Sequence, residues 1–259
     1  MQTVRNESNF AEKLLCLALD IGEGMLKSGG EVSRVEQTVE RVCRAYGAVH
    51  VEVFSIISMI SASVHMPNGT QSAQMRRIRR TGTDMYRLEL FNEISRDICA
   101  RTPPLAELEA RIKEAKRKVA YPKWVTIPAS AVAAAAFAVF FGGGVAEAVA
   151  ALLIGALLGV IDLFAANRVN ELAKTVVAAF AAGLLSSLAA MLVSGADSGI
   201  IMIGTIMLLV PGVAFGTALR DLLCGDLIAG GLKTVQACLA ALMIAFGYLL
   251  SMAVMGGAI

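Results

Sequence analysis

The sequence predicts an α-helical membrane protein, five transmembrane helices following an N-terminal cytoplasmic α+β domain. Three observations predict it. Mean hydropathy is +0.67, and 56% of the 259 residues are hydrophobic. Charge is unevenly spread: residues 1–123 hold 19 of the 23 Lys and Arg and 15 of the 21 Asp and Glu. The remaining residues carry long apolar runs, whereas the first half alternates polar and apolar positions with helical and strand periods.

The boundary falls where a basic stretch meets proline and an interfacial aromatic, at Tyr121-Pro122-Lys123-Trp124. It divides a domain of residues 1–121 from a membrane domain of residues 122–259. In the first, Leu14, Leu17, Ile21 and Met25 share one face of a helix over about Asn9–Lys27, which stops at Ser28-Gly29-Gly30. A second helix, about Val32–Tyr46, places Val32, Val35, Val39 and Val42 at three-and-four spacing. Ser33 and Glu36 have the spacing of a capping box, and Gly47 is a natural stop. Strands follow at about Val49–Phe54 and Ile56–Met66, then a Pro67-Asn68-Gly69 turn and a return strand near Ser72–Arg79. Two more helices, about Asp84–Cys99 and Pro104–Val119, complete the domain. The last carries an apolar stripe from Leu105 to Val119.

A membrane span needs about 20 apolar residues. Five segments qualify: Trp124–Phe141, Val145–Ala166, Leu172–Val193, Gly199–Leu219 and Thr234–Met255. Basic residues cluster before the first span, between the second and third (Arg168, Lys174) and between the fourth and fifth (Arg220, Lys233). The opposite connections, Gly142 to Gly144 and Ser194 to Ser198, carry no Lys or Arg. The positive-inside rule then puts the amino terminus in the cytoplasm and the carboxyl terminus outside the inner membrane. Residues 1–30 show no apolar core of a secretory signal, in keeping with that orientation. Gly155-x-x-x-Gly159 and Gly212-x-x-x-Gly216 offer small-residue faces, either for packing within the chain or for a second membrane protein.

Several chemistries lack a signature. The five cysteines form no CxxC pair, and the two histidines stand far from any cysteine pair, so no metal site is expected. No GxxxxGK[ST] phosphate loop, nucleophile elbow or zinc-protease motif occurs, so no cofactor and no catalytic residue is assigned. The run Arg76-Arg77-Ile78-Arg79-Arg80 suits a solvated strand end, anionic lipid or acidic partner groups better than nucleic acid.

The candidates for handling a polar solute lie in and beside the spans, where charge and broken backbone are costly. Asp162 and Asn167 close the second span. Pro211 and Gly212 interrupt the fourth, and Thr217, Arg220, Asp221 and Asp226 follow. Arg220 suits a substrate carboxylate, because its planar fork binds one bidentately. Asp162, Asp221 or Asp226 could pair an amino group or carry a coupling proton.

The stretch Ser28-Gly29-Gly30-Glu31-Val32-Ser33-Arg34-Val35-Glu36, its continuation RVCRAYG to Gly47, and Val210-Pro211-Gly212 followed by Arg220-Asp221 and Gly225-Asp226 resemble the threonine/serine exporter family. The likeness is to the shorter member of its split form, with a cytoplasmic N-terminal domain and five spans. It implies secondary export of threonine and serine driven by protons or membrane potential. For some split members it implies succinate instead. Fused members carry about twice as many spans, so the resemblance implies a small membrane partner subunit, with a homo-oligomer as the other arrangement. A membrane-anchored ligand sensor is a competing reading; a membrane enzyme finds no catalytic constellation.

Overall fold

The computed structural model describes residues 2–119, 121–165, 170–193 and 195–256. Its elements run α1 (Gln2–Lys27), α2 (Val32–Ala45), β1 (His50–Ile56), β2 (Met59–His65), β3 (Gln71–Arg77), α3 (Met85–Arg101) and α4 (Leu105–Arg117). After a 3₁₀ turn at Lys123–Val125 come α5 (Thr126–Phe140), α6 (Val145–Ala165), α7 (Glu171–Leu192), α8 (Ser198–Ile206), α9 (Gly212–Leu223) and α10 (Leu227–Gly256). Contacts group them into two units, Met1–Ala120 with Val213–Thr234, and Tyr121–Gly212 with Val235–Ile259.

The first unit is built on an antiparallel sheet of order β1-β2-β3. Val51 pairs with Val64, and Ser55 with Ile60, on the face turned to the helices. The opposite face carries His50, Phe54 and Met75 in the open. Leu14, Leu15, Ile21 and Met25 of α1 are fully buried, as are Val35 and Val39 of α2 and Phe91 of α3. Ala229 of α10 belongs to this same apolar core although it lies far along the chain.

The turn from α1 to α2 is closed by a Schellman motif. Gly29 adopts φ +88°, its N–H donates to the Leu26 carbonyl at 3.1 Å, and the Gly30 N–H donates to the Met25 carbonyl at 2.9 Å. That left-handed turn strongly favours glycine. The capping box expected from Ser33 and Glu36 is not formed. The helix begins at Val32 with Glu31 as its N-cap and no side-chain cap bond of its own. Glu36 instead accepts the Ser55 N–H at 2.6 Å and the Ser55 hydroxyl at 3.2 Å, fastening α2 to β1.

The second unit packs helices through small residues. A Cβ added at Gly155 would sit 2.6 Å from Ala134 Cβ and 2.7 Å from the Ser130 carbonyl, so α6 and α5 touch at backbone distance. Gly204 of α8 meets the backbone of α5 in the same way, and Gly247 of α10 meets the Val176 carbonyl of α7. Gly155-x-x-x-Gly159 thus serves packing within the chain. The second small-residue face does not: Cβ atoms at Gly212 and Gly216 would meet nothing within 4 Å among the described residues.

Among the described residues, three helices are long and apolar enough to cross a membrane: Val145–Ala165, Glu171–Leu192 and Leu227–Gly256. The first expected span is shorter, since α5 has 15 residues, held between the 3₁₀ turn and Gly142 at φ +93°. At 1.5 Å per residue it covers about 22 Å of a ~30 Å hydrocarbon core. The fourth is two helices, α8 and α9, because Pro211 has no N–H to donate and its ring excludes the preceding turn. Between them the Leu209 N–H donates to the Ile206 carbonyl at 2.8 Å, and the Gly212 N–H to the Val210 carbonyl at 2.8 Å.

Candidate functional site

The two sequence blocks that stood out, 28–36 and 220–226, come together in the first unit. A second Schellman turn brings this about. Gly225 takes φ +93°, its N–H donates to the Leu222 carbonyl at 3.1 Å, and the Asp226 N–H donates to the Asp221 carbonyl at 2.9 Å. The chain reverses from α9 into α10, and a Cβ at Gly230 would lie 2.8 Å from the Leu222 backbone nitrogen. Asp221, Asp226 and Lys233 are thereby gathered at one end of this hairpin.

Asp221 is the centre of the arrangement. Its residue exposure is 0%. Its Oδ1 accepts the Val32 N–H at 3.2 Å, and its Oδ2 accepts from Lys233 Nζ at 2.6 Å. Lys233 Nζ also donates to the Gly30 carbonyl at 3.1 Å. The first amide of a helix has no partner within that helix, and the helix end favours negative charge. The cap that α2 lacks locally is therefore supplied by Asp221. Each buried charge is met by an opposite charge and by a backbone dipole, the condition for tolerating either.

Asp226 sits beside this pair and is incompletely satisfied: its Oδ2 is buried with no hydrogen-bond partner among the described residues. Burial raises the Asp226 carboxyl above its usual range and the Asp221 charge raises it further, while Lys233 and the Ser33 amide oppose the rise. The Glu36 carboxyl is raised as well, first by burial; the Ser55 hydrogen bonds oppose this, and the charge at Asp226 adds to it. Arg220 reaches the rim of the cluster, where Nη1 lies 2.9 Å from Glu31 Oε1. Its side chain is 63% exposed and that of Glu31 15%.

The other expected residues are placed elsewhere. Thr217 uses its hydroxyl on the Ala214 carbonyl at 3.0 Å. Asp162, in the second unit, pairs with Lys174 at 2.7 Å, tying the end of α6 to the start of α7. Asn167 lies outside the described residues. Pro211 lines an apolar cavity of about 400 Å³ with Val210, Ile244 and Tyr248, and Gly212 stands open beside it in the chain. Sequence reasoning missed two members of the cluster. Lys233 served only as an orientation marker, though a lone cation near an apolar helix invites a search for its counter-ion. Glu31 lay inside a quoted motif with no role assigned. Among the described residues, no group of three or more His, Cys, Asp or Glu could hold a metal ion.

A polar α+β unit joined to apolar helices of spanning length fits a membrane protein. The chain belongs to the threonine/serine exporter family: the family model described as "Putative threonine/serine exporter" matches residues 16–255. It is also similar to the "Probable threonine/serine exporter" of Mycobacterium tuberculosis (strain ATCC 25618 / H37Rv), 26% identical over 249 residues, covering 93% of this chain and 46% of the relative. The chain thus spans about half the length of that relative. No solved structure matches.

Proposed function

We propose that this chain is a subunit of a secondary transporter that exports small amino acids, threonine and serine first, across the inner membrane. The observation that carries the reading is the family match over nearly the whole chain. The relative bearing the exporter name is about twice as long; in this reading a small membrane partner or a second copy supplies further spans. In this reading five segments cross the bilayer, α8 and α9 forming one broken crossing, with the amino terminus inside and the carboxyl terminus outside. The domain boundary at residues 121–122 is then the membrane entry.

The proposed division of labour follows the chemistry of the side chains. Arg220, exposed and held by one carboxylate, takes the substrate carboxylate in exchange for Glu31. Asp226, half-buried with one buried oxygen lacking a partner among the described residues and a raised carboxyl, carries the proton. Asp221 holds the hairpin in place and does not touch substrate. Asp162 and the Pro211-Gly212 break of the second unit, and Thr217 of the first, are further candidates for handling the solute, as is Asn167, which lies outside the described residues. Efflux of labelled threonine, serine and succinate tests this, in cells producing the chain with and without a small membrane protein encoded beside it. Threonine or serine efflux supports the reading. Succinate efflux alone moves the assignment to dicarboxylates, and no efflux in either condition overturns it.

A further inference from the structure

The first unit contains an open groove of about 780 Å³ between α1, β3 and α4, built from none of the residues around Asp221. Its floor is apolar, with Leu17 and Ile112 almost fully buried, and its rim is charged. Most of those charges are already matched. Glu109 accepts from Lys13 at 3.0 Å and from Lys113 at 2.6 Å, and Lys116 lies 3.0 Å from Asp20.

Two rim charges stand apart. Arg76 donates from Nη2 to the Cys16 Sγ at 2.9 Å, and among the described residues no carboxylate lies within 4.0 Å of it. A thiol is a weak acceptor, so most of the five guanidinium donors stay available for a planar anion. Glu12 has no cationic partner among the described residues either. Its backbone carbonyl accepts from Gln74 Nε2 at 3.2 Å, which holds α1 against β3 at this point. Glu12 and Cys16 are four residues apart on one helix face, with Cβ atoms about 5–6 Å apart. Arg76 and Glu12 both line this groove, so one small molecule bearing both charges can meet a guanidinium and a carboxylate within it. An apolar floor with a few convergent polar groups is the usual make-up of a small-molecule site.

We propose that this groove binds an α-amino acid, its carboxylate on Arg76 and its ammonium on Glu12, as a regulatory site separate from the transport path. Occupancy would tie α1, β3 and α4 together and so report the internal amino-acid level to the protein. The choice of an amino acid and its regulatory role rest on the transport reading, while the test reads binding alone.

The test is hydrogen exchange of the full chain in lipid nanodiscs, with L-threonine and L-serine as probes at concentrations up to about ten times a Kd on the order of 1 mM. Slowed exchange is expected in segments 12–20, 71–77 and 109–116. L-threonine methyl ester and N-acetyl-L-threonine each lack one charge and should bind at least about tenfold more weakly. Arg76→Gln and Glu12→Gln should abolish the slowing. Glu12 is an exposed side chain, so E12Q leaves the fold intact and keeps the test decisive even where R76Q disturbs β3. No slowing in these segments, slowing that survives E12Q, or slowing by succinate but not by the amino acids would overturn the proposal. Efflux is read in a different assay, so the two proposals fail separately.

Discussion

Asp221 and Lys233 lie twelve residues apart at the two arms of a helical hairpin and meet at 2.6 Å, the carboxylate side chain fully buried and the ammonium side chain 13% exposed. Each also reaches the start of α2, Asp221 through the Val32 amide and Lys233 through the Gly30 carbonyl. The pair is a fastener between distant parts of the chain, and its energetics are lopsided. Removing one partner strands the other without water, whereas removing both together removes the penalty.

Asp221→Ala and Lys233→Met should therefore each destabilise the first unit by about 3–5 kcal/mol. Asp221→Leu combined with Lys233→Met should recover much of that loss. Thermal unfolding in detergent, arranged as a double-mutant cycle, reads the coupling. Additive effects of the two single changes would show that the pair is not a unit.

Arg220 gives the opposite pattern. Its side chain is 63% exposed, so the ion pair with Glu31 is worth at most about 1 kcal/mol. Arg220→Ala should leave the melting temperature nearly unchanged and reduce threonine efflux by at least about tenfold, the worth of one charge-assisted contact. Efflux equal to that of the unaltered protein, at equal membrane abundance, would remove Arg220 from the path.

The pH dependence should be two-sided. Glu36 and Asp226 have carboxyls raised above the ordinary 4.5 and 3.8. Each binds more protons folded than unfolded in that window, so stability falls as pH rises from the ordinary value through the raised one. Glu36→Gln, which still accepts from Ser55, should flatten this slope. Asp97 acts in reverse. Hydrogen bonds from Arg101 and Arg111 hold its carboxyl down at about 2. Its contribution is present above the ordinary 3.8 and is lost as pH falls towards about 2. Asp97→Asn should remove only the acid-side loss, as measured by unfolding across pH.

Glycines at equal spacing should respond unequally. Gly155→Ala drives a methyl to 2.7 Å from the Ser130 carbonyl and should loosen the α5–α6 pair. Gly216→Ala meets open space and should stabilise α9 by about 0.5–1 kcal/mol through helix propensity. Melting temperatures of the two variants should move in opposite directions.

Much of the first unit was legible because its signals are periodic and local. The valines of α2, the apolar face of α1 and the Pro67-Asn68-Gly69 turn each act over a few residues, and the elements fall within a few residues of expectation, the start of α1 apart. Pro211 was equally readable, since a missing N–H beyond the first turn interrupts a helix, whereas Pro128 in the first turn of α5 does not. The capping of α2 was not. Ser33 and Glu36 have the right spacing, but the helix starts at Val32 and the carboxylate that serves it is 189 residues away. No local pattern encodes such a pairing. The same holds for the candidate site: Arg220, Asp221 and Asp226 announced themselves as charges beside apolar sequence, while Glu31 and Lys233 acquire meaning only once the hairpin is folded against α2. Gly212 and Gly216 show the converse, a spacing that promises a packed face and finds none within the described residues.

That a helix near the start of the chain borrows its cap from Asp221 also sets an order of events during synthesis. At about 5–20 residues per second, the ribosome delivers Asp221 roughly 10–40 s after Val32. Until then α2 must wait with its first amide unpaired, and the apolar core lacks Ala229. The first unit therefore matures late, after every helix from α5 to α8 has been made, and a nascent chain halted before α9 would present an unfinished, protease-sensitive unit.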